Sequence, residues 1–239
     1  MISLLRKRYS VRNVAKLVVL VPVPYRELRK SLIYNLIIMG KQEFSYIHSK
    51  ENVILKSHGV VLRKFKESDY TILKELLKDD EYVFYFCLKQ TDDYFLKEYV
   101  KKMIMQMEMR LGIAYIIEKK GLFYNTPVGY IVGNYILLRS PFGDEVALNI
   151  NFAVLPQFRN KGYATNAIKA VIQPYLSTSI MKIVMDIADS NEASNNVAMK
   201  LEFLKDTNNP MYDKQNSLIG THYKWFNTIP YMIEIFGKS

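Results

Sequence analysis

Three apolar, β-branched segments, Ile113 to Glu118, Val128 to Leu138 and Asp144 to Val154, are separated by turn signals at Lys120-Gly121 and at Ser140-Pro141-Phe142-Gly143. This predicts consecutive antiparallel strands. Ahead of them, Val60 to Phe65 reads as a further strand, and Glu67-Ser68-Asp69 offers N-cap candidates for a helix turning Ile72, Leu73, Leu76 and Leu77 inward. A second helix is expected from about Asp92, with Phe95, Leu96, Tyr99, Val100, Met103, Ile104 and Met107 on one side; its methionines suit core filling rather than a metal or cofactor box. Beyond Val154 the period changes. Ala164, Ala167, Ile168, Val171, Ile172 and Tyr175 fall at the spacing of a helix with one buried face, which Pro174 is expected to end. Ile180 to Ile187 then reads as a strand covered on both faces. Strand, helix and strand in this order predict a right-handed crossover between parallel strands. Ser217 to Phe226 reads as a closing strand.

Gln157-Phe-Arg-Asn-Lys-Gly-Tyr-Ala164 lies at the junction of the strand ending near Val154 and the helix that follows. A helix start exposes unpaired N–H groups and the positive end of its dipole, so it attracts anions, phosphate above all. Gly162 lets the backbone approach a ligand closely; Arg159 and Lys161 place positive charge beside it. By itself the octapeptide reads equally as an ordinary strand-to-helix turn. Its place at the carboxyl end of a strand, where open sheets bind ligands, favours the phosphate reading.

A second pattern follows, Asn191-Glu-Ala-Ser194-Asn-Asn-Val197-Ala198-Met-Lys200-Leu201-Glu202-Phe203. Together the two resemble the GNAT superfamily of acyl-CoA-dependent N-acetyltransferases. The family's pyrophosphate turn is matched by Arg159, Gly162 and Ala164, and its Asn-x-x-Ser helix by Asn191, Ser194, Val197, Lys200, Leu201 and Phe203. The form is similar to the subgroup that includes the ribosomal-protein N-terminal acetyltransferases. The resemblance spans roughly residues 59 to 227 and implies an α+β fold: three α/β/α layers around a mixed, mostly antiparallel sheet with one parallel β-α-β crossover. Residues 1–58 would be a basic N-terminal extension and 59–239 the acetyltransferase-like domain.

The resemblance implies acetyl-CoA as co-substrate, with no metal, and direct attack of a primary amine on the thioester. The strand ending at Ala153, Val154 and Leu155 would splay from its parallel neighbour and pair with the pantetheine arm. Backbone N–H groups of Arg159, Asn160, Lys161, Gly162, Tyr163 and Ala164 would hold the pyrophosphate. Asn191 would bond the pantetheine amides, cap its helix, or do both. An α-amine, with a pKa of about 7.7 to 8.0, needs less help to react than a lysine amine near 10.4. Three positions depart from the pattern. Many relatives carry a base glutamate where this chain has Asn149; Glu145, on the same strand face by period two, is the replacement candidate, or else a solvated residue beside a turn. The tyrosine that protonates the leaving thiolate in many relatives is Ala198 here, and the subgroup's alternative maps to Ser194. Its hydroxyl could donate to the thiolate from the first turn of a helix, or merely satisfy backbone. Glu202 stands where the family has glycine, so the chain path into the last strands is open to question.

Charge sets the remaining bounds. The net charge is +10, of which residues 1–58, with 11 Lys or Arg against 3 Asp or Glu, hold +8. Arg6-Lys7-Arg8, Arg12, Arg26, Arg29 and Lys30 interleave with Tyr9, Tyr25 and Tyr34, which suits a nucleic-acid or ribosome contact. The same stretch also suits a helical appendage packing Leu28, Leu32, Ile33, Leu36 and Ile37 on the main domain or on a second subunit, so a dimer is one arrangement the sequence allows. The lone Cys87 gives no disulfide framework and implies a reducing, cytoplasmic setting. His48, His58 and His222 are too scattered for a zinc site. The apolar run Leu17 to Val23 is too short to span a bilayer, and no membrane partner is expected.

Overall fold

The structure is a computed structural model of the 239-residue chain, and it describes residues 55–57, 59–86, 92–138, 145–175, 182–212 and 218–226. Residues 1–54 and 58 of the extension, Cys87, and the turn 139–144 lie outside the described residues. In chain order the elements are β1 (Leu55–Ser57), β2 (Val60–Lys64), α1 (Tyr70–Leu76), α2 (Asp80–Phe86), α3 (Asp93–Glu108), β3 (Gly112–Lys119), β4 (Thr126–Leu138), β5 (Glu145–Val154), α4 (Tyr163–Tyr175), β6 (Lys182–Ala188), α5 (Glu192–Lys200), β7 (Leu204–Tyr212) and β8 (Leu218–Phe226). They build one eight-stranded sheet in the order β1-β2-β3-β4-β5-β6-β8-β7, with β5 and β6 its parallel pair and its other pairs antiparallel. The α+β class and the crossover are as the sequence implies.

Residues Gly112–Glu118 of β3 are buried at every position, so both faces of the sheet are covered. α1 and α3 pack from one side and α4 from the other, which makes the three layers. α3 begins where its first residues predict: the Asp92 carboxylate accepts the Phe95 N–H at 2.6 Å. Leu96, Val100 and Met107 carry its buried face, so Met107 serves the core while Met103 and Met105 are half-buried. Three elements were not foreseen: β1, α2 and β7. α4 also runs one residue past Pro174, which therefore sits in the helix's last turn rather than just after it.

Glu202 answers the question raised by the missing glycine. It takes φ +61°, and around it Phe203 N–H donates to Ala198 O and Glu202 N–H to Met199 O, both at 3.0 Å. That is a Schellman closure, with a glutamate in the left-handed seat that glycine usually fills. The chain path is kept at the cost of backbone strain. Glu202→Gly is therefore expected to raise stability by about 1 kcal/mol, measured as the urea midpoint, since glycine removes the left-handed penalty.

Candidate active site

β5 and β6 stay together for only a short stretch. Their parallel rungs are Ala147↔Lys182, Leu148↔Ile183 and Asn149↔Val184, and beyond them the strands part. Residues Ile150–Val154 thus keep β4 on one side and face a gap on the other. Leu155 N–H donates to Val128 O at 2.8 Å. Because main-chain groups alternate along an antiparallel ladder, Leu155 and Ala153 turn theirs toward β4, while Val154 and Phe152 turn theirs toward the gap. Of the three residues expected to meet the cofactor arm, Val154 presents its N–H, its carbonyl accepting from Arg159 Nε, and Phe152 joins it.

The gap opens into a cleft of about 600 Å³. One wall is the turn after β5. Asn160 has φ +60° and Gly162 φ +78°, two left-handed residues flanking Lys161 that fold successive N–H groups toward one side. Asparagine and glycine are the residues that enter this region at least cost. The first helical bond of α4 runs from Asn166 N–H to Gly162 O at 2.9 Å, so the N–H groups of Tyr163, Ala164 and Thr165 sit in the orphan first turn. A Cβ built on Gly162 would find Asn166 Nδ2 as its nearest neighbour, at 3.8 Å, so the ground before these amides is open.

The two cations expected to add charge here are otherwise engaged. Lys161 Nζ donates to Gln157 O at 2.9 Å and lies over the Phe158 ring. Arg159 Nε donates to Val154 O at 3.1 Å, and its guanidinium pairs with Glu81 at 2.7 Å and with Asp79. Arg159 is a brace for the turn, and what the turn offers the cleft is its main-chain amides and the positive end of the helix dipole.

On the opposite wall stands α5. Asn191 Oδ1 accepts the Ser194 N–H at 3.0 Å, so Asn191 is the helix cap, and both side chains also line the cleft. Ala198 is fully buried beneath them, and nothing ionisable takes the tyrosine's place on this helix. The remaining wall comes from α2. Glu81 pairs with Arg159 on one arm of the splay, and Tyr85 O–H donates to Ser190 O at 2.8 Å on the other. Tyr82 of α2 shares a 2.8 Å hydrogen bond with Tyr130, and burial pushes both phenols well above their ordinary range. Both stay neutral; Tyr82 lines the cleft, and Tyr130 is buried behind it.

The cleft therefore brings together Ala153, Val154, Arg159, Asn160, Gly162, Tyr163, Ala164, Asn191 and Ser194. Leu155 lies inside against β4, and Lys161 is turned onto its own loop. Glu145 opens β5, ahead of the paired stretch and at the far end of the strand from the cleft. Sequence reasoning missed Tyr82, Tyr85 and Phe86; the acidic Asp79-Asp80-Glu81 before an aromatic run was the available helix-start signal.

A splayed parallel pair, a turn with orphan amides and a capped helix across from it frame the cleft. The model of the acetyltransferase (GNAT) domain matches residues 60–204, more than half of the chain, and the protein belongs to that family. It is an acyl-CoA N-acetyltransferase of the GNAT type. Solved structures of similar fold include RimL, a ribosomal alpha-N-protein acetyltransferase in complex with coenzyme A (19% identity, TM-score 0.59, covering 74% of this chain and 99% of that one). A GNAT-family acetyltransferase from Bacillus anthracis (18%, TM-score 0.57, 73% and 99%) is another. The microcin self-immunity acetyltransferase MccE, solved with acetyl-CoA and AMP, is a third (16%, TM-score 0.56, 74% and 94%). No curated protein matches the sequence. Among the described residues no helix is long and apolar enough to cross a membrane.

Proposed function

We propose that the chain moves an acetyl group from acetyl-CoA to a primary amine, with the α-amine of a protein or peptide as the first acceptor to test. The observation that carries this reading is the separation of β5 from β6 after Asn149, directly before the orphan amides around Gly162. The backbone of Phe152 and Val154 would take the pantetheine arm as an added strand. The N–H groups of Asn160 to Ala164 would hold the diphosphate. When bound, the cofactor supplies an activated acetyl thioester; the chain's part is to align it and manage protons. A free α-amine is the acceptor that the site can serve most easily, since it loses its proton near neutrality.

Ser194 supports thiolate departure on this reading. It lines the cleft in the first turn of α5, where the helix dipole favours negative charge. Ser194→Ala is expected to lower kcat by about tenfold or more while leaving acetyl-CoA affinity near the parent's, the pattern of an interaction made only as the bond breaks. Stopped assays of CoA thiol release and calorimetry of acetyl-CoA binding check both halves. Equal kcat in mutant and parent would make Ser194 structural.

A second reading, a CoA-binding module without turnover, is favoured by Asn149 and Ala198 standing where relatives keep ionisable groups. Release of CoA thiol in the presence of an amine panel separates the two. The panel should hold peptides with free N-termini, small amines, aminoacyl-tRNA and ribosomal proteins, with products identified by mass spectrometry. Acetyl-CoA binding with no thiol release for any member of the panel would favour the binding module. The basic extension 1–58 remains a proposed contact for nucleic acid or ribosome, and the tRNA and ribosomal arms of the panel address it.

A further inference from the structure

We propose that Asp186 is the proton acceptor for the incoming amine, positioned by Asn149, so that the working carboxylate stands on β6 instead of β5. This rests on the acetyl-transfer reading above. The last rung between the parallel strands is Asn149↔Val184, and Asp186 follows Val184 by two residues, on the same face. Asn149 Nδ2 donates to Asp186 Oδ2 at 2.8 Å. The bond therefore spans the strands at the point where they part. Both residues are half-buried.

The face can be named from the ladder. Asn149 is the register partner of Asn134, which accepts a hydrogen bond from Gln106 of α3. Paired residues share a face, so Asn149 and Asp186 lie on the α3 side of the sheet. Asn134 and Asn151 are exposed on that side and form a polar shelf beside the opening. A pantetheine arm laid along Val154 and Phe152 toward Asn149 would end next to this shelf. Glu145 sits four residues on the other side of Asn149, roughly 13 Å along the strand.

The Asn149 amide also carries an unusual imbalance. Its nitrogen is committed to Asp186, while its Oδ1 is buried without a hydrogen-bond partner. Turned over, the amide would set oxygen against carboxylate oxygen, so its orientation is the one that an ionised Asp186 demands. Leaving a buried carbonyl unpaired carries a desolvation penalty, and such local penalties gather at functional sites.

The step balances without a further reactant. The neutral amine nitrogen attacks the thioester carbonyl carbon and a C–N bond forms. The C–S bond breaks and its electron pair leaves with sulfur as thiolate. The surplus proton on nitrogen passes to Asp186, then through solvent to the thiolate, giving amide and free CoA thiol.

The test uses the full chain, acetyl-CoA and the peptide panel with free N-termini, comparing the parent with Asp186→Asn and Asp186→Glu. The asparagine can still accept from Asn149 through its own amide oxygen, so the clasp is kept while the charge is removed. We expect kcat/KM for the peptide to fall about 10²-fold, the range of a lost general base. Acetyl-CoA affinity should stay at the parent's value, and Asp186→Glu should recover part of the rate. Parent-like turnover in Asp186→Asn overturns the proposal. So does a loss of acetyl-CoA affinity in step with the rate, which marks a structural role. A parent that acetylates no peptide amine sinks the acetyl-transfer reading and this proposal together, and is thereby distinguished from failure of Asp186 alone.

Discussion

Gly162→Glu is expected to weaken acetyl-CoA binding by about 10³-fold while leaving the chain folded. Two effects act at this position, and they differ in size. Gly162 has φ +78°, so any side chain brings left-handed strain, of about 1 to 2 kcal/mol. Space is not the obstacle, since the nearest atom to a Cβ is Asn166 Nδ2 at 3.8 Å. The carboxylate, however, would stand before the amides that hold the diphosphate. Like charges about 4 Å apart repel by about 4 kcal/mol at the effective dielectric of a protein surface. At tenfold per 1.4 kcal/mol this is roughly a 10³-fold loss of affinity. Gly162→Ala separates the terms, because it brings the strain alone and should bind far more tightly than the glutamate. Calorimetric titration of acetyl-CoA reads the effect, and thermal melting verifies the fold. Binding by Gly162→Glu at the parent's affinity would remove the diphosphate from this turn.

Arg159→Ala should weaken both fold and binding. The guanidinium joins Val154 O, Glu81 and Asp79, so it ties the end of β5 to the start of α2. Asp79 keeps only 15% of its side chain exposed, and truncating Arg159 strands that carboxylate near the anion site. A fully buried orphan would cost about 3–5 kcal/mol; solvent reaches this one, so about 2 kcal/mol of stability is expected. Acetyl-CoA affinity should fall by about 10- to 100-fold, since two uncompensated acids would repel the diphosphate. Arg159→Lys should land between, because a point charge cannot serve three acceptors as a planar fork does. Urea unfolding and calorimetry measure the two effects. An Arg159→Ala variant with parent stability would show that the brace carries no load.

The residues explain what sequence could and could not disclose. β3, β4 and β5 were legible because their apolar runs are long and their turns carry glycine or proline. α4 was legible from one clean stripe, Ala167, Ile168, Val171 and Ile172, all of it buried. α2 was not, because Tyr-Val-Phe-Tyr-Phe is apolar all round and gives no helical period over so short an element. β7 contains Lys205, Asp206, Asn208, Asn209 and Pro210, the composition of an edge strand, and its register slips between Asp206 and Pro210. In the site, the motif located the turn and the capped helix. It could not foresee that Arg159 would point back into the protein, since its partners Asp79 and Glu81 are set by tertiary structure, nor that Lys161 would fold onto the Gln157 carbonyl of its own loop. Nor could it foresee the clasp of Asn149 on Asp186, which exists only because β5 and β6 are parallel and in that register.

The most direct test follows the backbone amides of residues 160–165 by nitrogen-proton correlation spectra during titration with CoA, and separately with pantetheine, which has the arm but no diphosphate. With CoA, the N–H resonances of Gly162, Tyr163 and Ala164 should move and gain protection from exchange; with pantetheine, the changes should be confined to Phe152 and Val154. CoA binding that leaves those three amides unmoved, or an identical response to pantetheine, would contradict the account.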